Sequence, residues 1–181
     1  SDPHRIDVRH CPTLDPQDAL ARLLVRALAL VDDIDIDIIK RLLRSLGHYD
    51  GPIDNETGPA LREGVRRFQQ SLASDNLTEE EKEAMRTGVL TPTQTVELVK
   101  RSAATGYPMG AYVFGVMYYR GIGVAPDGTL ALKWLTVAAD ADLALGHYAL
   151  GFVYRDGADG TNPVAPDKDK AAHHFKRAAA L

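Results

Sequence analysis

One cysteine, Cys11, occurs in 181 residues, so no internal disulfide can form and cysteine usage leaves the compartment undecided. No apolar run approaches the ~18 residues of a membrane span. The longest candidate, Ala19 to Val31, is interrupted by Arg22 and Arg26, and no signal-peptide pattern follows Ser1. Basic charge is not in excess either: 21 Lys and Arg against 25 Asp and Glu give a net charge of −4. A nucleic-acid binder that tracks phosphates needs the opposite balance. Residues 1–104 carry 14 basic and 18 acidic side chains and residues 105–181 carry 7 of each, so neither half is a strong electrostatic attractor. The chain also has no Gly-rich phosphate loop and no nucleophile motif, which argues against an enzyme. What is present is 45% hydrophobic and 25% charged, an ordinary globular composition. The expectation is a soluble piece, cytosolic or cut from a larger exported or anchored protein, with no cofactor, no nucleic-acid partner and no membrane insertion by this segment.

The periodicity is helical throughout, and the fold class expected is all-α. Residues 1–14 show no helical period and read as an extended leader. A first helix opens at Asp15 with Pro16 at its first position, and carries one apolar stripe of Leu20, Leu23, Leu24, Ala27, Leu28 and Val31. A second runs from Asp35 to Leu46, with Ile39, Leu42, Leu43 and Leu46 on one face and Gly47 as its stop. Two glycines and two prolines between His48 and Pro59 impose tight turns. Leu61, Val65, Phe68 and Leu72 mark a third helix. Thr78 and Glu81 form a capping-box pair that opens a short acidic helix to about Arg86. Another helix covers Pro92 to Ala104. The only alternating stretch, Asp33 to Asp37, is too short and too acidic for a strand.

Several residue groups invite a chemical role and have a simpler explanation. Asp50 and Asp54 lie in the turn-rich stretch, where carboxylates cap backbone N–H groups. Asp33, Asp35 and Asp37 match the first ligands of a calcium loop, but that loop requires Gly and Glu where this chain has Ile38 and Arg44. His10 with Cys11, and His173 with His174, are sequence neighbours that point about 100° apart on a helix, so neither pair chelates one metal well. They read as solvated side chains, and no metal site is predicted. Glu79, Glu80, Glu81 and Glu83 read as a solvated face at a helix N-terminus.

The last third repeats itself. Ala111, Tyr112, Phe114, Gly115, Tyr118 and Gly121 recur 36 residues later as His147, Tyr148, Leu150, Gly151, Tyr154 and Gly157. From Asp127/Asp167 onward, through Ala131/Ala171 and Ala138/Ala178, the offset is 40, which places four extra residues in the loop from Gly157 to Pro166. Two helical segments per unit of this length mean stacked helix hairpins. The sequence Phe114-Gly115, Tyr118, Gly121, Gly123-Val124, Asp127, Ala131, Trp134 and Ala138-Ala139 resembles the Sel-one-like repeat, a relative of the tetratricopeptide repeat. The second copy keeps Leu150, Gly151, Tyr154, Gly157, Asp167, Ala171, Ala178 and Ala179, with His174 where the first has Trp134. Phe114, Tyr118, Trp134, Tyr154 and Phe175 sit at signature positions and are expected in the inter-helix core.

Leu46-Gly47, Tyr49-Asp50-Gly51, Asp54, Gly58-Pro59, Val65 and Phe68-Gln69, with the closing turn Gly88-Val89-Leu90, resemble the small helical peptidoglycan-binding domain that accompanies bacterial wall enzymes. Asn55 stands where that family has a second glycine, and Leu61 where it has threonine. The resemblances imply a leader and N-terminal helix over 1–34, a peptidoglycan-binding-like domain over 35–104 and two repeats over 105–181. They also imply a non-enzymatic, periplasmic or envelope scaffold that binds peptidoglycan or a muropeptide through the first module and a protein through the repeats. The alternatives are a pure protein–protein adaptor, or the targeting module of a larger wall hydrolase.

Arg62, Arg66 and Gln70, spaced by four on the polar side of the third helix, form a candidate stripe for wall carboxylates, joined at the turn by Tyr49 and Asn55. Tyr119, Arg120 and Arg155 fall off the repeat signature and are expected to be exposed, partner-binding residues, with Phe152 beside them. Two further expectations concern assembly. Ala103-Ala104 imitates Ala138-Ala139 at an offset of 35, so the helix ending there should serve both modules. Repeat arrays need a cover for their last apolar face. An exposed strip of Phe152 and Phe175 is therefore expected on the second repeat, requiring either more chain beyond Leu181 or another chain against it; the enlarged loop is the other place for a cover.

Overall fold

The computed structural model describes residues 34–72 and 77–181. The expected leader, the helix from Asp15, and His10, Cys11 and Asp33 lie outside the described residues. Among the described residues eight helices follow one another: α1 (Ile36–Ser45), α2 (Pro59–Ser71), α3 (Glu79–Thr87), α4 (Pro92–Ala104), α5 (Pro108–Arg120), α6 (Gly128–Asp140), α7 (Ala144–Asp156) and α8 (Lys168–Ala180). Among the described residues the extended pairing amounts to one isolated antiparallel bridge, Ala158 to Val164. The fold is all-helical.

Local chemistry accounts for the helix ends. The N–H of Gly47, at φ 75°, returns to the Arg44 carbonyl and ends α1. Pro59 opens α2, where its missing N–H leaves no bond unmade. Thr78 and Glu81 cap α3 reciprocally as the sequence predicts, and Thr91 with Gln94 does the same for α4. Gly88 closes α3 in the left-handed conformation at φ 70°, and a Cβ there would also meet the Arg62 carbonyl at 2.9 Å. Its glycine thus answers both a backbone sign and a close approach to α2.

Packing makes one continuous core. Leu42, Leu43, Phe68 and Leu98 are wholly enclosed in the first module; Leu135, Tyr148, Phe152 and Val153 are enclosed in the repeats. Within each repeat two helices form a hairpin, α5 with α6 and α7 with α8, and α6 packs on α7. Asp127 and Asp167 start α6 and α8 by accepting from the N–H groups of Leu130 and Lys170, at 2.9 and 3.0 Å. Gly115 and Gly151 permit the hairpins: a Cβ on Gly115 would lie 2.7 Å from Leu135 Cγ, and one on Gly151 would strike the Phe175 ring.

α4 joins the two modules by behaving as a repeat helix. It packs on α1, where the Ser45 and Ser102 hydroxyls meet at 2.7 Å, and on α5. A Cβ on Gly110 would lie 2.8 Å from the Ala103 nitrogen, and one on Gly146 would lie 2.6 Å from the Ala139 nitrogen. Gly106 and Asp142 both take positive φ, 81° and 55°, and donate to the carbonyls of Ala103 and Ala139, each at 2.9 Å. The α4–α5 junction therefore reproduces the α6–α7 junction. Its register is 36, equal to the repeat period, and not the 35 read from the alanine pairs, because the contact matches Ala103 to Ala139.

The apolar strip expected on the second repeat is not formed. Phe152 is fully buried, edge-to-face with Tyr148 at 4.7 Å and Phe175 at 5.3 Å, and Phe175 is half-buried. Phe152 lies on α7, which is packed on both sides, so it cannot reach a partner. The outer side of α8 shows Ala172, His173, Lys176 and Ala179. The enlarged loop does not cover α8 either. It turns back onto the first repeat, with the Thr129 N–H donating to Asn162 O (3.1 Å), Thr161 N–H to Pro126 O (3.0 Å) and Asn162 Nδ2 to Asp127 Oδ2 (2.6 Å).

Candidate functional site

Two surfaces bring together the residues singled out from sequence, the turn and α2 of the first module and the ends of α5 and α7. The turn is built on α1. Lys40, buried on that helix, pairs with Asp54, which also accepts the Glu56 N–H at 3.1 Å. Arg44 donates to the Gly51 carbonyl, and the cations of Lys40 and Arg44 lie 5.8 and 5.9 Å from the centre of the Tyr49 ring. The Tyr49 hydroxyl donates to Pro52 O at 2.7 Å. Burial, the largest single influence on Lys40, would lower its pKa; the Asp54 hydrogen bond and the nearby negative charge outweigh it and hold the ammonium above its ordinary value. Asp54 is held below the carboxylate range, first by Lys40 and then by the Glu56 N–H. The capping role expected of Asp54 is met, and Asp50 is exposed.

This geometry revises the proposed wall-contact set. Tyr49 is only 5% exposed and serves as the floor of the turn, so it is not a contact residue. Arg66 is also committed within the fold: its guanidinium donates to the carbonyls of Met85 (3.2 Å) and Arg86 (3.0 Å), supplying the end of α3 with donors. Sequence spacing identified a shared stripe but not this use, because α3 meets α2 only in three dimensions. Asn55, Arg62 and Gln70 are exposed. Sequence reasoning assigned Gln69 only to a motif. It is 2% exposed and its Nε2 donates to Val89 O at 2.8 Å and Gln94 Oε1 at 2.9 Å, pinning the closing turn to α2.

Arg62 borders a groove of about 550 Å³ between the first module and the first repeat. Leu61 and Val65 of α2, Leu90 and Val96 near α4, and Met117 and Ile122 at the end of α5 make it mainly apolar. No expectation from sequence pointed to it, since its walls come from residues as far apart in the chain as Ile34 and Gly123.

On the repeats, Tyr119, Arg120 and Arg155 are all half-buried and not fully exposed as expected. Burial first, then the negative charge of Asp156, pushes the Tyr119 hydroxyl up to about 12. The charges of Asp156, Arg155, Asp159 and Arg120 all act on that hydroxyl, so the last turns of α5 and α7, one from each repeat, are electrostatic neighbours. Arg155 pairs with Asp156 at 2.7 Å and covers the Phe152 ring at 4.5 Å, which is how Phe152 is shut from solvent on that side.

His174 also departs from the solvated reading. It is half-buried, stacked on Tyr154 at 5.6 Å, and its Nδ1 lies 3.0 Å from Nδ1 of His147, so one ring donates to the other. Burial, followed by the neighbouring His147, lowers its pKa to about 4. His173 is exposed. No cluster of three or more metal-ligating side chains occurs among the described residues, and no described helix is long and apolar enough to cross a membrane.

Comparison with known proteins agrees with the two-part organisation. Residues 33–72 match the family described as "Putative peptidoglycan binding domain", and residues 108–143 and 144–181 each match the Sel1 repeat. A 50-residue stretch, 28% of this chain, is 44% identical to "Putative sel1-like repeat-containing protein L18" of Acanthamoeba polyphaga mimivirus, and spans 9% of that relative's length. A solved Sel1 repeat protein from Oxalobacter formigenes is 26% identical, covering 66% of this chain and 80% of that one with a TM-score of 0.46. The chain thus carries a peptidoglycan-binding-type domain followed by Sel1 repeats, and the matched families are a binding domain and a repeat.

Proposed function

We propose that this chain is a non-enzymatic scaffold of the bacterial cell envelope, holding peptidoglycan through its first module and a protein through its repeats. The observation that carries the reading is the joining of these two families through α4, which packs on both modules and leaves no linker between them. A ligand held by one module is thereby fixed in position relative to a partner on the other. For the wall contact, Arg62 with Asn55 and Gln70 are the exposed members of the original set. Arg62 has the planar donor fork that suits the free carboxylates of wall peptides. For the protein contact, the half-buried group of Tyr119, Arg120 and Arg155 presents an aromatic ring and two guanidinium groups, the residue types enriched at interface centres.

Co-sedimentation with purified sacculi tests the reading. The full chain is expected to pellet with sacculi, and Arg62→Ala with Gln70→Ala to release most of it. Arg66→Ala is the wrong probe, because it removes donors from the end of α3. Failure of the unaltered chain to pellet would reject wall binding and favour the pure adaptor, a reading that the internal commitment of Tyr49 and Arg66 already supports.

A further inference from the structure

The second repeat departs from the first at two positions that meet across its hairpin. Where the first repeat has Ala111 and Trp134, the second has His147 and His174. His147 lies in the first turn of α7 and His174 in the middle of α8, and their Nδ1 atoms are 3.0 Å apart. The sequence neighbours His173 and His174 cannot chelate one ion well, whereas this pair, 27 residues apart, turns two imidazole nitrogens toward one point.

The surroundings hold those nitrogens together. His147 is 9% exposed, and the ring of His174 lies flat on Tyr154, with 5.6 Å between centres and 5° between planes. The centres of the two imidazoles are 5.3 Å apart and their planes differ by 31°, so both nitrogens stand between the rings and face each other. A hydrogen bond across this gap needs one nitrogen with a proton and one with a free lone pair. That proton can move to Nε2 of its own ring, because a neutral imidazole has two tautomers. Two Nδ1 lone pairs then converge with no change in net charge, which is the state that binds metal.

The geometry also narrows the class of ion. At metal–nitrogen bonds of ~2.0 Å, nitrogens 3.0 Å apart subtend close to a right angle at the metal. That is the angle between neighbouring ligands in tetragonal Cu²⁺ and Ni²⁺ sites, and is narrower than a tetrahedral zinc site takes. The open side of the half-buried His174 serves the turn that aims its lone pair at the ion, and the waters that complete the shell, since no third ligand is contributed by the described residues. The charges of Asp140 and Asp142, at the end of α6, act on His147 in favour of a cation, and those of Arg177 and His173 act against it.

We propose that His147 and His174 form a two-histidine site for a divalent transition-metal ion, Cu²⁺ ahead of Ni²⁺ and Zn²⁺, that links α7 to α8. The inference goes beyond the scaffold function and does not depend on wall binding.

Titration of the full 181-residue chain with copper(II) sulfate tests it, in a Cys11→Ser background that removes the thiol. The tightest ion is expected to give an electron paramagnetic resonance spectrum split by two coordinating nitrogens, and to raise the unfolding midpoint. His147→Ala and His174→Trp, each restoring the first repeat's residue, are expected to weaken this ion by roughly ten-fold or more and to remove the two-nitrogen pattern. His173→Ala is expected to leave both unchanged. Should His174→Trp prevent folding, His174→Gln, which keeps a polar side chain without the imidazole, serves instead with the same expected loss. Absence of a two-nitrogen copper site in the unaltered pair, or equal affinity after replacement of His147 or His174, overturns the proposal. Loss of the ion in His173→Ala assigns it to the sequence neighbours and overturns the proposal as well.

Discussion

The two repeats use one plan with different loops. In the first, six residues from Gly121 to Pro126 connect the hairpin, and Gly121 takes the left-handed conformation. In the second, ten residues from Gly157 to Pro166 do so, and Gly157 combines φ 80° with an extended ψ. Both loops end Val-Ala-Pro, and both hairpins resume with an Asp that caps the next helix. The four extra residues therefore come with a different backbone at the first glycine and leave the finish unchanged. They let the second loop bridge Ala158 to Val164 and reach back to the N-terminus of α6, tying the second repeat to the first. The comparison teaches that an insertion in a repeat can add a contact between units while the helix register continues unaltered. The second difference lies inside the hairpins. Trp134 packs on Phe114 at 5.3 Å in the first, whereas His174 stacks on Tyr154 and bonds His147 in the second.

The largest expected effect separates the packed side of α7 from the open side of α8. Phe152→Ala should cost about 3–5 kcal/mol, measured by denaturant unfolding, because the ring is wholly enclosed. Phe175→Ala should cost less, since that ring is half-buried. Equal losses would show that the second repeat is covered on both sides.

Replacing Gly157 to Pro166 with the shorter loop of the first repeat should leave both hairpins folded and cost roughly 1–3 kcal/mol. The loop supplies three hydrogen bonds to the start of α6, each contributing on the order of 1 kcal/mol. Hydrogen exchange at the Thr129 amide reads the change directly; unchanged protection would mean that the loop does not brace the first repeat.

A smaller difference follows from the histidines. The folded pKa of His174 is about 4, below its ordinary 6.5, and that of His147 is also lowered, by burial first and then by Arg177. The unfolded chain then binds these protons more readily. Their contribution is present above about pH 6.5 and is lost as the pH falls toward 4. The drop is roughly 1 kcal/mol once solvent screening of the partly exposed ring is allowed for. His174→Trp, which restores the first repeat's residue, should flatten the stability profile between pH 4 and 6.5. An unaltered profile would remove His174 as its source.

The smallest effect concerns Tyr112, whose buried hydroxyl has no hydrogen-bond partner among the described residues. Tyr112→Phe should change stability by less than about 1 kcal/mol in either direction, because no bond is lost. A loss well above that, by the same unfolding measurement, would reveal a partner for the hydroxyl.

Helix positions, the capping box at Thr78, the two-module order and the repeat were legible in the sequence because each depends on neighbours within a few residues or on a fixed period. Leu42, Leu43, Val65 and Phe68 were recognisable as core for the same reason: a stripe at spacings of three and four must face something apolar. The contact surfaces were not legible to the same degree. Arg62 and Arg66 share a stripe and differ in fate, one exposed and one spent on the carbonyls of α3. Phe152 stands next to the off-signature residues in sequence, but the stacking of α6, α7 and α8 encloses it. His173 and His174 are neighbours in the chain; only His174 turns toward another histidine, 27 residues away. Local spacing determines which side chains share a helix face. Which of those faces meets a carbonyl, a ring or water depends on how whole helices pack, and the energies that decide it arise between residues far apart in the chain.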